Sequence, residues 1–452
     1  MISPARVAAY EILRRVSTGR GDLASAVADA RDHLADDRDR ALATDIAAGT
    51  ERWLATLDHL IAHFARRPVA RLDPEVVDVL RLSIYQLLHL TRVPASAVVD
   101  DAVDLVKRAG KRSATGFVNA VLRNVSRQRS SVPLPPRPPS QAPRDAVLDY
   151  LTVTLSHPRW LAARWFDRVG LDRAEAWMRF NNEPAVLTVR ANRFRTDRET
   201  LLVRLQDAEI DAEPTRFAPD GVRILRGHVR DRAERGDLVV QDEASQLVAL
   251  LAGESPGPLV LDTCASPGGK TTAIAATVSV DERVIACDVR DRRMALLRRT
   301  VATTGAANVR LVQADLTKPL PFGVGFSTVI VDVPCSGLGT LRRDPDIRWR
   351  RAEQDLAALA IVERQMLEHA SAVVAPGGRL VYATCSSEPE ENEDVVAAFL
   401  ADHRDFAPVT AGRAHPALAG DLEDSRGHLR TEPDRHGLEL FFGAVFERVR
   451  DL

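Results

Sequence analysis

The sequence predicts an all-α N-terminal domain, a small α+β domain, and a C-terminal α/β domain built on a Rossmann-like, doubly wound sheet. Three observations carry this. Helical periodicity runs through residues 1–129, six prolines in fourteen residues break it at 130–143, and from about 258 short apolar runs alternate with helical patterns. A length of 452 residues accommodates parts of this size, and 45% hydrophobic with 27% charged residues fits globular protein rather than disorder.

In the first part, Val7, Tyr10, Ile12 and Leu13 recur at helical spacing. So do Leu57, Leu60, Ile61 and Phe64, then Val77, Leu80, Ile84, Leu87 and Leu88; Val98, Ala102, Val103 and Val106 begin another amphipathic helix. The proline run cannot sustain a helix or a central strand, so 130–144 reads as a stiff, extended linker. Residues 145–250 mix a helix from 159 with strands at 186–190 and 238–241. In 251–452, the runs 259–262, 284–288, 309–312, 328–332 and 379–383 have the apolar character of buried parallel strands. Residues 293–303 and 353–375 read as helices between them, and 438–449 as a closing hairpin. Ligands of such a sheet bind at the carboxyl ends of its strands.

Composition excludes several classes. No stretch approaches the run of about 20 apolar residues that spans a membrane, and the N-terminus carries the arginines of an amphipathic helix rather than an apolar signal core. The four cysteines (Cys264, Cys287, Cys335 and Cys385) form neither a disulfide framework nor a C-x-x-C pair, and eleven scattered histidines show no ligand spacing. The expectation is a cytoplasmic monomer with no metal and no membrane contact. The 61 basic and 63 acidic residues nearly cancel, but residues 1–140 carry 21 against 16, and 107–144 hold nine Lys/Arg with no acid. That stretch reads as a solvated helix end plus linker, or as a local phosphate-contacting surface.

The chemistry concentrates in two places. Directly after the first strand of the doubly wound region stands Asp262-Thr-Cys-Ala-Ser-Pro-Gly-Gly-Lys-Thr271, whose glycines permit close backbone approach at a helix N-terminus. It is neither a P-loop, since Cys264 stands where that motif needs glycine, nor the NAD fingerprint G-x-G-x-x-G. Asp288, Asp315 and Asp332 follow at successive strand ends. A carboxylate at Asp288 can accept from ribose hydroxyls and Asp315 can meet an adenine edge, which favours S-adenosylmethionine as ligand. Each acid taken singly could be only a helix cap.

The second place is the cysteine pair: Cys335 in Asp332-Val-Pro-Cys-Ser-Gly and Cys385 in Ala383-Thr-Cys-Ser-Ser. Cys287 lies inside a strand and Cys264 in a turn, where a packed, inert thiol is the usual case. Two thiols beside a methyl donor suggest methylation of cytosine C5. A thiolate adding at C6 makes C5 nucleophilic, Asp332 is the acid candidate near N3, and the second cysteine assists release.

These motifs resemble those of the RNA 5-methylcytosine methyltransferases of the RsmB/Sun/NSUN group. The resemblance implies the class I S-adenosylmethionine-dependent methyltransferase fold, with Cys385 as nucleophile and Cys335 as the residue that assists product release. It also implies cofactor contacts at Cys264, Ala265, Ser266, Pro267, Gly268, Gly269, Lys270, Asp288, Asp315 and Asp332. The segments Asp45-Ile-Ala-Ala-Gly-Thr-Glu-Arg-Trp, Leu80-Arg-Leu-Ser-Ile-Tyr-Gln and Gly116-Phe-Val-Asn-Ala-Val-Leu-Arg are similar to the helical NusB-like RNA-binding domain. That domain marks the branch acting on 16S rRNA, named for its cytosine 967. Departures from the pattern are small: Ser266 and Val333 replace alanine, and Glu51 stands where leucine is common.

The expected domains are a NusB-like RNA-binding domain (1–129), the linker (130–144), an RNA-contacting α+β subdomain (145–250) and the catalytic domain (251–452). The expected partner is 16S rRNA, naked or in an early assembly intermediate, with the target cytidine flipped out of its stack. Lys107, Arg108, Lys111, Arg112, Arg190, Arg193 and Arg195 are candidates for its backbone, and Arg342, Arg343 and Arg348 for nucleotides flanking the target. The alternatives are a tRNA cytosine-C5 methyltransferase and a non-catalytic RNA-binding assembly factor. The intact cysteine pair disfavours the second.

Overall fold

The computed structural model describes residues 2–139, 141–279 and 281–450. Met1, Ser140 of the expected linker, Val280, Asp451 and Leu452 lie outside the described residues. The chain forms two compact units, Met1–Pro184 with Leu341–Glu353, and Ala185–Thr340 with Gln354–Leu452.

The first unit is helical. Pro4–Ser17 and Pro74–His89 begin with a proline, whose missing N–H costs nothing at a helix start. Leu23–Asp32 is capped by the Asp22 side chain, which accepts from the Ser25 N–H at 2.7 Å. Ile46, Leu57, Leu60, Ile61, Leu80 and Ile84 are fully buried in one core, each contributing roughly 1.5–3 kcal/mol. The proline run lacks helix and strand but is no free spacer. Val132 and Leu134 pack onto the helical core, and the Pro133 and Pro135 carbonyls accept from His59 Nε2 (2.9 Å) and the Thr154 hydroxyl (2.6 Å). The helical unit therefore continues past residue 129, through Arg144–Asp149 and the helix Arg159–Asn182, which bends at Gly170 (φ +77°).

The second unit contains two sheets. β1 (Leu187–Ala191), β2 (Asp211–Pro214), β3 (Gly221–Arg226) and β4 (Leu238–Val240) form an antiparallel sheet of order β2-β3-β1-β4. The larger sheet contains β5 (Leu259–Asp262), β6 (Arg283–Asp288), β7 (Val309–Gln313), β8 (Phe326–Asp332), β9 (Val374–Thr384), β10 (Phe406–Val409), β11 (Leu429–Arg430) and β12 (Phe442–Arg448). Its order is β10-β12-β9-β8-β5-β6-β7, with β11 paired to β12. Strands β7-β6-β5-β8-β9 are parallel, and β12 runs antiparallel between β9 and β10. The expected closing hairpin at 438–449 is instead this single inserted strand.

Alternate residues of β8 and β9 enter different cores. Ile330, Val381 and Ala383 face one side, and Val329, Val331, Leu380 and Tyr382 the other, which is why these strands read as continuous apolar runs. Strand order reverses between β5 and β8, so a crevice opens at their carboxyl ends. Among the described residues, no helix is long and apolar enough to cross a membrane, and no group of three or more His, Cys, Asp or Glu side chains could hold a metal.

Candidate active site

The turn after β5 runs straight into the helix Gly269–Ala275. Gly268 sits at φ +107°, and a Cβ there would come within 3.0 Å of Leu297 Cδ1; a Cβ on Gly269 would stand 3.1 Å from the Gln241 amide carbon. The left-handed backbone thus favours glycine at 268, and neighbouring side chains leave little room for a Cβ at either position. The Ser266–Pro267 peptide is cis. Arg190 of β1 braces this turn: its guanidinium donates to Gln241 Oε1 (2.9 Å), the Gly269 carbonyl (3.2 Å) and Thr272 Oγ1 (2.9 Å).

Four carboxylates stand at or just beyond the carboxyl ends of β5, β6, β7 and β8. Asp262 ends β5, is buried, and accepts from the Thr271 hydroxyl at 2.6 Å; burial, with Asp332 nearby, pushes it up to about 6. Asp288 ends β6. Its Oδ2 accepts from the Ser266 N–H (3.2 Å) and Arg293 Nε (3.0 Å), and its Oδ1 from the Val289 N–H (2.8 Å). With about four acceptor positions on a carboxylate, one remains for a ribose hydroxyl rather than the two expected, unless the half-exposed Arg293 swings away. Asp315 follows β7, and the hydroxyl and N–H of Thr317 hold it below the usual carboxylate range. Asp332 ends β8 and pairs with Lys270 Nζ at 2.7 Å. Lys270 leaves the turn after β5 and Asp332 leaves β8, so the pair spans the reversal of strand order. Asp262 was not among the sequence candidates, although its motif was; an acid ending the first strand was the available signal.

The two cysteines meet. Cys335 Sγ and Cys385 Sγ lie 3.3 Å apart without a disulfide, and the Cys385 N–H donates to Cys335 Sγ, also at 3.3 Å. Cys335 is buried and Cys385 half-buried. The hydrogen bond with Cys385, then burial, hold the Cys335 thiol well above its ordinary value, so a protonated Cys335 faces the more accessible Cys385. Burial pushes Cys287 up to about 12 and raises Cys264 further, the behaviour of packed thiols.

Behind the pair lies a buried polar network absent from the sequence candidates. Glu391 Oε1 accepts from the Ser336 N–H at 2.6 Å and its Oε2 from the Ser386 hydroxyl. Tyr382 donates to the Glu391 carbonyl (2.6 Å), and Asn392 Nδ2 donates to the Ser386 carbonyl (3.0 Å). Glu363 is pushed up to about 10 by burial and by the charge of Glu391. The run Glu388-Pro-Glu-Glu-Asn392 looks in sequence like a solvated acidic turn, yet Glu388, Glu391 and Asn392 are fully buried.

Burial withdraws two of the RNA candidates. Arg190 is the brace described above, and burial pulls it down to about 10. Arg348 is 0% exposed and donates to the Ser156 carbonyl (3.1 Å), Asn182 Oδ1 (2.9 Å) and the Asn181 and Leu341 carbonyls (3.2 Å each). Neither can present a guanidinium to a phosphate. Arg342 lies over the Phe180 ring (4.3 Å to its centroid) and donates to the Pro184 carbonyl. Arg343, Arg112, Arg193 and Arg195 are exposed. Lys107, Arg108, Lys111 and Arg193 pair with Asp104, Glu11, Asp73 and Asp220 at 2.8 to 3.2 Å, and Arg195 bonds backbone carbonyls. Such solvent-screened surface pairs are weak, so a phosphate can displace them.

Comparison with known proteins agrees with this architecture. The family described as 16S rRNA methyltransferase RsmB/F matches residues 249–447, the NusB family 3–127, and a Methyltr_RsmF/B-like ferredoxin-like domain 157–229. The chain is 33% identical to the Probable ribosomal RNA small subunit methyltransferase B of Bacillus subtilis, over 90% of each chain. It is 34% identical to the Ribosomal RNA small subunit methyltransferase B of Pseudomonas syringae pv. tomato, over 88% of this chain and 86% of that one. The crystal structure of a methyltransferase homolog protein from Pyrococcus horikoshii matches 67% of this chain and 99% of its own, at 25% identity and a TM-score of 0.57.

Proposed function

The chain belongs to the 16S rRNA methyltransferase RsmB/F family, and from that premise we propose that it methylates C5 of a cytidine in 16S rRNA through a covalent bond between Cys385 and C6 of the base. The observation that carries this is the thiol pair: two cysteines 3.3 Å apart, not joined in a disulfide, just beyond the ends of the adjacent parallel strands β8 and β9. S-adenosylmethionine fits that crevice by the chemistry of its donor set. Adenosine hydroxyls, an α-amine and a sulfonium all need acceptors, and carboxylates stand at or just beyond the ends of β5, β6, β7 and β8. When bound, it supplies an electrophilic methyl group.

Asp288 would hold the ribose and Asp315 the adenine edge, while the turn from Cys264 to Lys270 closes over the ligand. The Cys385 sulfur adds to C6 of the cytosine, and the electron pair of the C5=C6 bond becomes available at C5. Asp332, paired with Lys270 at 2.7 Å in the unliganded protein, would take up a proton on substrate binding and donate it toward N3, stabilising the adduct. After methylation a base removes the C5 proton, the C5=C6 bond re-forms and the Cys385 sulfur leaves, assisted by Cys335. The protonated state of Cys335 suits it to remain the thiol while Cys385 attacks.

Bisulfite mapping of 5-methylcytosine tests the proposal, with naked transcripts, extracted rRNA and tRNA, and assembly intermediates incubated with protein and S-adenosylmethionine. One new site in 16S rRNA is the expected result. A site confined to tRNA would overturn the substrate, and none in any RNA or intermediate would overturn the reaction.

A further inference from the structure

We propose that Glu391 is a positioning residue that clamps the turn after β8 to the turn after β9 and thereby holds Cys335 and Cys385 at their working separation. No disulfide joins Cys335 to Cys385. Each cysteine is followed directly by a serine, and Glu391 bonds both serines: the Ser336 N–H to Oε1 at 2.6 Å and the Ser386 hydroxyl to Oε2. The two serine hydroxyls lie 3.1 Å from each other. One carboxylate thus spans the positions immediately after both thiols.

The clamp is itself held. The Tyr382 hydroxyl grips the Glu391 carbonyl at 2.6 Å, and Thr384 and Asn392 tie the same turn to β9 through the Thr384 hydroxyl, the Asn392 side chain and the Ser386 carbonyl. Glu391 is 0% exposed, so it touches neither solvent nor substrate and acts only through the residues it holds. A buried carboxylate is costly unless its acceptors are filled. Charge-assisted bonds to two separate turns fill them and resist any parting of those turns. The Gly339 N–H to Cys385 carbonyl bond (2.8 Å) also joins the two turns, and the clamp adds the restraint at the positions next to the thiols that keeps Cys335 as hydrogen-bond partner of Cys385.

For its effect on turnover the proposal rests on the methylation reading, but the clamp is testable on the free, full-length protein. The measurement is the rate at which iodoacetamide alkylates Cys385 at one fixed neutral pH, read by mass spectrometry of the Cys385 peptide. Glu391→Gln should slow alkylation about tenfold, because the Cys335 sulfur no longer stands at hydrogen-bond distance from the attacking Cys385 sulfur. The signature of positioning is coupling: in a Cys335→Ala background, Glu391→Gln should cause no further slowing. In turnover, Glu391→Gln should lower kcat while KM for S-adenosylmethionine stays within about twofold, since an interaction made only in the transition state is what is lost. Where Glu391→Gln does not give a cooperative melt, Ser386→Ala removes one arm of the clamp and carries the same test. Wild-type alkylation in the variant, or the same slowing with and without Cys335, overturns the proposal. Intact coupling in a protein that methylates no RNA supports the clamp and overturns the methylation reading alone.

Discussion

Cys335 and Cys385, fifty residues apart in sequence, bring their sulfur atoms to 3.3 Å across the ends of two parallel strands. The more buried thiol is held protonated by its neighbour and by burial, and the other is half-buried. The proposed division of labour between two chemically identical groups draws on that difference in environment.

The pair gives the most direct prediction. Cys385→Ser should abolish methylation, whereas Cys335→Ser should accumulate a protein–RNA adduct that survives a denaturing gel. The same gel run with labelled RNA reads both. Methylation by Cys385→Ser would remove the nucleophile assignment, and a fully active Cys335→Ser without adduct would remove the release assignment.

Asp288 should be needed for cofactor binding and Arg293 should not. Asp288→Ala should weaken S-adenosylmethionine at least about tenfold, the loss expected when a charged hydrogen bond worth about 1.5–3 kcal/mol is removed. Arg293→Ala frees an acceptor position on Asp288 and should leave affinity equal or better. Titration calorimetry on both variants decides it.

Arg348 should matter for stability rather than for RNA affinity. Arg348→Met leaves the carbonyls of Ser156, Asn181 and Leu341 and the Asn182 side chain without their donor. A loss of about 3 kcal/mol is expected from several buried acceptors left unpaired. Denaturant melts measure this, and unchanged stability with weaker RNA binding would reverse the assignment.

Glu51 should impose a pH dependence on folding. Burial first, then Asp346, pushes its carboxyl from 4.5 to about 8. The unfolded chain releases this proton near the ordinary value and the folded chain keeps it until about pH 8, so stability falls as pH rises across that window. The slope reaches at most about 1.4 kcal/mol per pH unit. Glu51→Gln should flatten it in melts at pH 5, 6, 7 and 8, and parallel curves for the two proteins would refute the effect.

The doubly wound sheet and the strand-end places of Asp288, Asp332 and Cys385 were legible because a parallel strand covered on both faces needs an unbroken apolar run, and a polar residue after such a run marks its carboxyl end. The roles of individual arginines were not. Arg190 and Arg348 look like their exposed neighbours in sequence, and only packing shows that each guanidinium is consumed by buried carbonyls and amides. Nor does the acidic composition of residues 388–392 signal that Glu388, Glu391 and Asn392 are buried.

The order of strands and helices, the Gly-Gly turn and the two Cys motifs are local patterns, so the sequence by itself determined them. The tertiary structure alone decided which groups meet: Lys270 with Asp332, Glu391 with both serines, and one thiol with the other. Those pairings depend on strand order, which places β8 between β5 and β9. Burial and charge act through distance in space, and sequence spacing carries no measure of that distance once the chain crosses from one strand to the next.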